Sequence, residues 1–173
     1  VIKISSRKVL EEVLGSLGIS GDAFAATCIV VDKMDKLPED VVAAQLAEQG
    51  LGADAVATIQ STLGVDDLDS LAAALGGDSA AVSELAGLFD LIDAYGIADW
   101  VAFDASVVRG LAYYTGPVFE AHDRAGQLRA ICGGGRYDRL LSSLGGNDMP
   151  ATGFGFGDMV IMELLMGRRH TRF

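Results

Sequence analysis

The sequence predicts an α+β fold: an antiparallel sheet with flanking helices, interrupted by an all-helical insertion. Three observations carry this reading. Short extended runs stand at the start and again after Gly96, an alanine-rich series of helix-like segments lies between them, and glycine-bearing strand motifs crowd the last third. The opening VIKI alternates briefly, as a strand does. SSRKVLEEVLGSLG follows with a serine cap, helical apolar spacing and a closing glycine. The segments AFAATCIVVDKMDKL, PEDVVAAQLAEQG, ADAVATIQSTLG, DDLDSLAAALG and DSAAVSELAGLFDLIDAYG each begin near Pro, Ser or Asp and mostly end in Gly, the signature of successive short helices. After Gly96 the period drops to two in WVAFDASVV, YYTGPVFEAHD and LRAICGGG, with RAGQ placed to turn one strand into the next. YDRLLSSLGG then reads as a helix, ATGFGFG as a glycine-rich strand, and DMVIMELLMG as a helix capped by Asp158. The resulting segments are 1–19, a helical insertion with its return helix at 20–96, and 97–173.

With 173 residues, 50% of them hydrophobic and 21% charged, the chain is globular rather than disordered. No apolar run approaches the roughly 18 to 20 residues of a membrane span. The start resembles neither a secretory signal nor a transit peptide, and opening on Val1 it reads as a piece of something longer. Cys28 and Cys132 lack metal or disulfide-framework spacing, and His122 and His170 form no HxxxH pattern, so no metal site is expected.

The net charge of −11 is unevenly spread. Ser20 to Asp104 holds sixteen acidic residues against Lys33 and Lys36, a balance of −14, whereas residues 105–173 hold eight arginines against six acids. Phosphate binding relies on Lys and Arg, so phosphate chemistry is expected in the last third, and nucleic-acid backbone contact within the insertion only near Lys33 and Lys36.

Three glycine-bearing motifs lie in that third: RGLAYYTG (109–116), CGGGRYD (132–138) and GFGFGD (153–158). Strand glycines mark bulges or a close backbone approach to a ligand, although simple hairpin glycines would also satisfy the pattern. Arg109 must be paired if it is buried, and Tyr113, Tyr114 and Tyr137 supply flat faces with one hydroxyl each. In a regular strand Arg109 and Tyr113 would share one face and Tyr114 the other. Both tyrosines reach one ligand only if the chain is irregular there, which Gly110 and Gly116 permit. GFGFGD lacks the last glycine of a dinucleotide fingerprint, and GGGRYD lacks the Lys-Ser/Thr of a P-loop.

Taken together and in this order, VVRGLAYYTGPVFE, CGGGRYDRLLSSLGG and GFGFG resemble the two histidine-specific motifs and the third class II motif of the histidyl-tRNA synthetase family, and DKMDKLPEDVVAAQLAEQGL resembles its helical insertion. The wording FDASVVRGLAYYTG with GFGFGDMVIMELL is most similar to plant and algal organellar members, which implies a chloroplast or mitochondrial location. The resemblance implies a histidine-tRNA ligase that uses ATP as substrate, with Mg2+ arriving on ATP and no protein ligands assigned to it. Histidine and tRNA(His) are the implied partners, and a homodimer the implied state, with no membrane.

By the same resemblance Arg109 is catalytic and touches histidine, while Tyr113, Tyr114 and Tyr137 bind histidine. Gly133, Gly134, Gly153, Gly155 and Gly157 let backbone approach the substrate. Three positions depart from the family pattern: Met159 and Val160 stand where glutamate and the adenine-packing arginine are usual, and Ala112 stands where aspartate is common. The first two class II motifs are expected before Val1 and an anticodon-binding domain after Phe173. A non-charging alternative shares the fold: the synthetase-like regulatory subunit of ATP phosphoribosyltransferase. An intact Arg109 favours the ligase, and three surviving pocket motifs argue against an inert remnant.

Overall fold

The computed structural model describes residues 1–34 and 37–169; Asp35, Lys36 and 170–173 lie outside the described residues, and with them the expectation for Lys36. The sheet has five strands, β1 (Ile2–Ser6), β2 (Val101–Phe103), β3 (Pro117–Ala121), β4 (Cys132–Tyr137) and β5 (Ala151–Phe156), in the order β2-β1-β3-β4-β5. β1, β3, β4 and β5 pair antiparallel as expected, and β2 adds to the edge parallel to β1. That parallel pair is possible because a long helical crossover, rather than a tight turn, separates its strands.

The crossover consists of α1 (Arg7–Ser16), α2 (Gly21–Val31), α3 (Glu39–Glu48), α4 (Ala53–Leu63), α5 (Leu68–Ala74) and α6 (Ala80–Ala94). Ser6 caps α1, its hydroxyl accepting from the Lys8 N–H at 3.3 Å, and Asp67 and Ser79 cap α5 and α6 in the same manner. Gly96, at φ 68°, ends α6 in a left-handed turn that a side chain would oppose, and a 3-10 turn (Ala98–Trp100) leads into β2. Leu14, Leu46, Ile59, Leu71 and Leu85, one from each of five helices, are fully buried in a cluster that also takes in Ile4 of β1. Burying each such side chain contributes about 1.5–3 kcal/mol, so the insertion and the sheet are stabilised by one shared core.

Several elements are shorter than their sequence runs suggest. Strand β2 stops at Phe103 because the Asp104 carboxylate turns the chain, accepting from the Ser106 N–H at 3.0 Å and pairing with Lys3 at 2.7 Å. Strand β4 starts only at Cys132 and runs through its glycines to Tyr137. YDRLLSSLGG yields a single turn, α7 (Leu140–Ser143), and α8 (Asp158–Arg169) includes Asp158 as its first residue. Gly157 takes the capping place instead, its carbonyl accepting from the Ile161 N–H at 3.2 Å.

Candidate functional site

Strand register puts Lys3, Glu120, Gly133 and Gly155 in one row across the sheet, and Ser5, Val118, Gly135 and Gly153 in the row two residues along. Because side chains alternate in a strand, Gly133, Gly135 and Tyr137 share one face of β4. That face has a floor of glycine. Four of its neighbouring positions on β4 and β5 carry no side chain, so groups from elsewhere can lie flat across it.

The segment 104–116 supplies those groups. It forms no strand, and Arg109 adopts φ 54°, a left-handed conformation rare in a non-glycine residue. The expected irregularity is therefore centred on Arg109 itself. Its guanidinium lies against Gly133, where any Cβ would collide with Nη1 and Cζ. Nη1 donates to the Glu120 carboxylate at 2.6 Å, satisfying the requirement that a half-buried arginine be paired. Nε is buried without an acceptor among the described residues, so these leave part of the guanidinium's donor set unused. Burial alone would lower the Arg109 pKa, but the bond and charge of Glu120 outweigh it and raise it. The other Glu120 oxygen faces His122 Nε2 at 3.2 Å.

Tyr114 is buried and Tyr113 partly exposed, with ring centroids 4.8 Å apart. Tyr137 meets Tyr113 edge-on at 5.5 Å and Tyr114 at 6.5 Å, so the three rings form one cluster. Burial, together with the Tyr113 hydroxyl, pushes the Tyr114 phenol above its ordinary range, and Arg109 opposes that shift. The tyrosine pair is fastened to the end of β4 by Thr115, whose hydroxyl donates to Asp138 at 3.0 Å and accepts from the Asp138 N–H at 3.1 Å. Arg136 Nε also donates to Asp138 at 3.0 Å and is the leading cause holding that carboxyl below its usual range.

A cavity of about 420 Å³ opens between these groups, lined by Arg109, Tyr113, Tyr114, Tyr137 and the glycine floor. All three motifs contribute to it. Gly133, Gly153 and Gly155 line it, whereas Gly134 faces away and clears space for the Gly153 carbonyl and Phe154 of β5. Gly157 packs beside Val160 at the start of α8. Glu120, Thr115, Asp138 and Gly135 belong to the site without having been singled out by sequence. Gly135 leaves room for the Tyr114 ring, which an added Cβ would approach to 2.8 Å. Met159 is exposed and Val160 turns back on Gly157, so neither offers a cationic plane to a ligand. Among the described residues no three His, Cys, Asp or Glu side chains stand together as a metal site requires. No helix among them is long and apolar enough to cross a membrane.

This fold is that of the histidyl-tRNA synthetases and their relatives. A histidyl-tRNA synthetase from Nostoc superposes with a TM-score of 0.81 at 30% identity, over 97% of this chain and 42% of that one. An ATP phosphoribosyltransferase regulatory subunit/histidyl-tRNA synthetase from Bacillus halodurans shares the fold at 23% identity and a TM-score of 0.66, over 90% of this chain and 41% of that one. In sequence, the profile described as histidyl-tRNA synthetase matches residues 1–158, and the chain belongs to that family. The chloroplastic/mitochondrial histidine–tRNA ligase of Arabidopsis thaliana is 54% identical over 163 residues, 94% of this chain and 34% of that protein. The histidine–tRNA ligase of Thermoplasma volcanium is 38% identical over 170 residues, 96% of this chain and 39% of that protein. The chain thus spans between a third and two fifths of the length of these curated relatives.

Proposed function

We propose that the polypeptide containing this chain is a histidine-tRNA ligase, and that the cavity under Arg109 is half of its reaction centre. The observation that carries this reading is the convergence of RGLAYYTG, CGGGRYD and GFGFGD on one cavity of about 420 Å³. In the reaction a histidine carboxylate oxygen attacks the α-phosphorus of ATP, pyrophosphate leaves with its bonding electrons, and histidyl-adenylate remains. The 3′-terminal ribose hydroxyl of tRNA(His) then attacks the histidyl carbonyl and AMP departs.

Negative charge builds on the α-phosphate oxygens as the first bond forms. A guanidinium fixed in place beforehand stabilises that charge more than it stabilises bound ATP, and this difference accelerates the step. Arg109 has the properties this role requires, being charged, half-buried and set by Glu120, with its Nε donor unspent. Tyr113, Tyr114 and Tyr137 give histidine flat contact and hydroxyl partners, and Gly133, Gly153 and Gly155 let it lie close to the sheet. Mg2+ enters on the phosphates of ATP, and no residue of the chain is assigned to it. The insertion, 20–96, supports this centre from one side, with 1–19 and 97–173 forming its sheet. The full protein acts as a homodimer, away from membranes, and the Arabidopsis relative supports placing it in a chloroplast or mitochondrion.

The test is ATP–pyrophosphate exchange by the full-length polypeptide, with each amino acid in turn and then with tRNA(His). Exchange specific to histidine, followed by charging, is the expected result. Histidine binding with neither exchange nor charging would favour the regulatory-subunit reading, with which Met159 and Val160 in place of the family's usual glutamate and arginine agree.

A further inference from the structure

We propose that Arg7 is a positioning residue for Arg109, an assignment that rests on the catalytic role given to Arg109 above. Arg7 opens α1 and is only 2% exposed. A buried arginine ordinarily has a carboxylate partner, yet among the described residues Arg7 is in no ion pair. Its guanidinium instead lies over the Phe24 ring of α2, 5.0 Å from the centroid. From there Nη1 donates to the main-chain carbonyl of Arg109 at 3.4 Å. The Arg7 backbone N–H donates to the Gly116 carbonyl at 2.9 Å. One residue therefore holds both ends of RGLAYYTG, the side chain at Arg109 and the main chain at Gly116.

The Arg109 end is where holding is needed. At φ 54° its backbone sits in a region that is strained for an L-residue, and such a conformation persists only when its surroundings enforce it. Relaxing it would rotate the peptide that carries the carbonyl and swing the guanidinium off the glycine floor. At 3.4 Å the bond itself is long, and what opposes the rotation is the attraction of a buried cation for that carbonyl oxygen, which a low-dielectric interior strengthens. Stacking on Phe24 fixes the Arg7 plane, and a lysine there would keep the charge but lose the planar fork. Because Phe24 belongs to the insertion, this contact is one route by which the helical unit bears on the reaction centre.

The experiment is a double-mutant cycle in the full-length polypeptide: Arg7→Met, Arg109→Ala and both together, read by single-turnover adenylate formation, exchange with kcat and KM separated, and thermal unfolding. Arg7→Met is expected to lower kcat roughly 10- to 100-fold, as misplacement of a catalytic group does, with the KM for histidine changed less than about threefold. Added to Arg109→Ala it is expected to cost less than about twofold more, because the two act as one unit. An unchanged kcat in Arg7→Met, or the same factor lost in both backgrounds, overturns the assignment. If Arg7→Met does not fold, Arg7→Lys enters the same cycle under the same criterion. Activity that survives Arg109→Ala undiminished removes the catalytic reading and this assignment together, whereas additive losses remove this assignment alone.

Discussion

Gly133 of β4 and Gly155 of β5 are register partners, yet they face different demands. A Cβ on Gly133 would collide with the Arg109 guanidinium, while one on Gly155 would meet nothing within 4 Å. Gly133→Ala is therefore expected to lower the kcat of exchange by about tenfold or more by displacing Arg109, and Gly155→Ala to leave kcat and unfolding temperature near wild type while raising the KM for histidine, which lies against that position in the proposed function. Steady-state kinetics beside a thermal melt of each variant decide this. Arg109 and the tyrosines were legible in sequence because an arginine and paired aromatics between glycines are poor core material. Glu120 was not, since an acidic residue in an alternating strand looks like ordinary solvent-facing decoration until register sets it opposite Gly133. The Thr115–Asp138 clasp was hidden for the same reason: 23 residues separate its partners, and only folding reveals the contact.

Among the elements, helices were more fully legible than strands. Apolar spacing and Ser, Asp and Gly punctuation marked α1 to α6, since those signals are local. The extents of β2 and β4 depended on side-chain turns and on pairing across the sheet, which local alternation does not specify. At the end of β2, for instance, Asp104 both turns the chain onto Ser106 and ties it to Lys3 of β1. Burial would raise the Asp104 pKa, but the bonds from Lys3 and Ser106 outweigh it and hold the carboxyl below its usual range. A lowered folded-state pKa stabilises the fold above the unfolded value near 4 and loses that contribution as pH falls through the folded value. Asp104→Asn is thus expected to cost about 1 kcal/mol at pH 7, given the partial exposure of the pair. In denaturant titrations the gap from wild type should close as pH drops below about 4; a gap independent of pH would assign the loss to packing instead.

At the scale of the molecule, one core joins the helical unit to the sheet, and the irregular segment 104–116 lies between them. The acidic helices and the glycine-floored sheet have separate compositions but share a site: Phe24 bears on Arg7, Arg7 on Arg109, and Arg109 on Glu120. The α+β class was visible in the sequence because the hydrophobic period changes at Gly96. The sharing of a site between the two parts was not, because it depends on two arginines 102 residues apart. The proposed chemistry turns on Arg109 stabilising charge that develops on ATP rather than merely binding histidine. The most direct measurement is histidine-dependent ATP–pyrophosphate exchange in Arg109→Ala of the full-length polypeptide, with kcat and the KM for histidine determined separately. A fall in kcat of roughly 10²- to 10³-fold is predicted, with KM changed only a few fold; an unchanged kcat, or a loss confined to KM, would contradict that role for Arg109.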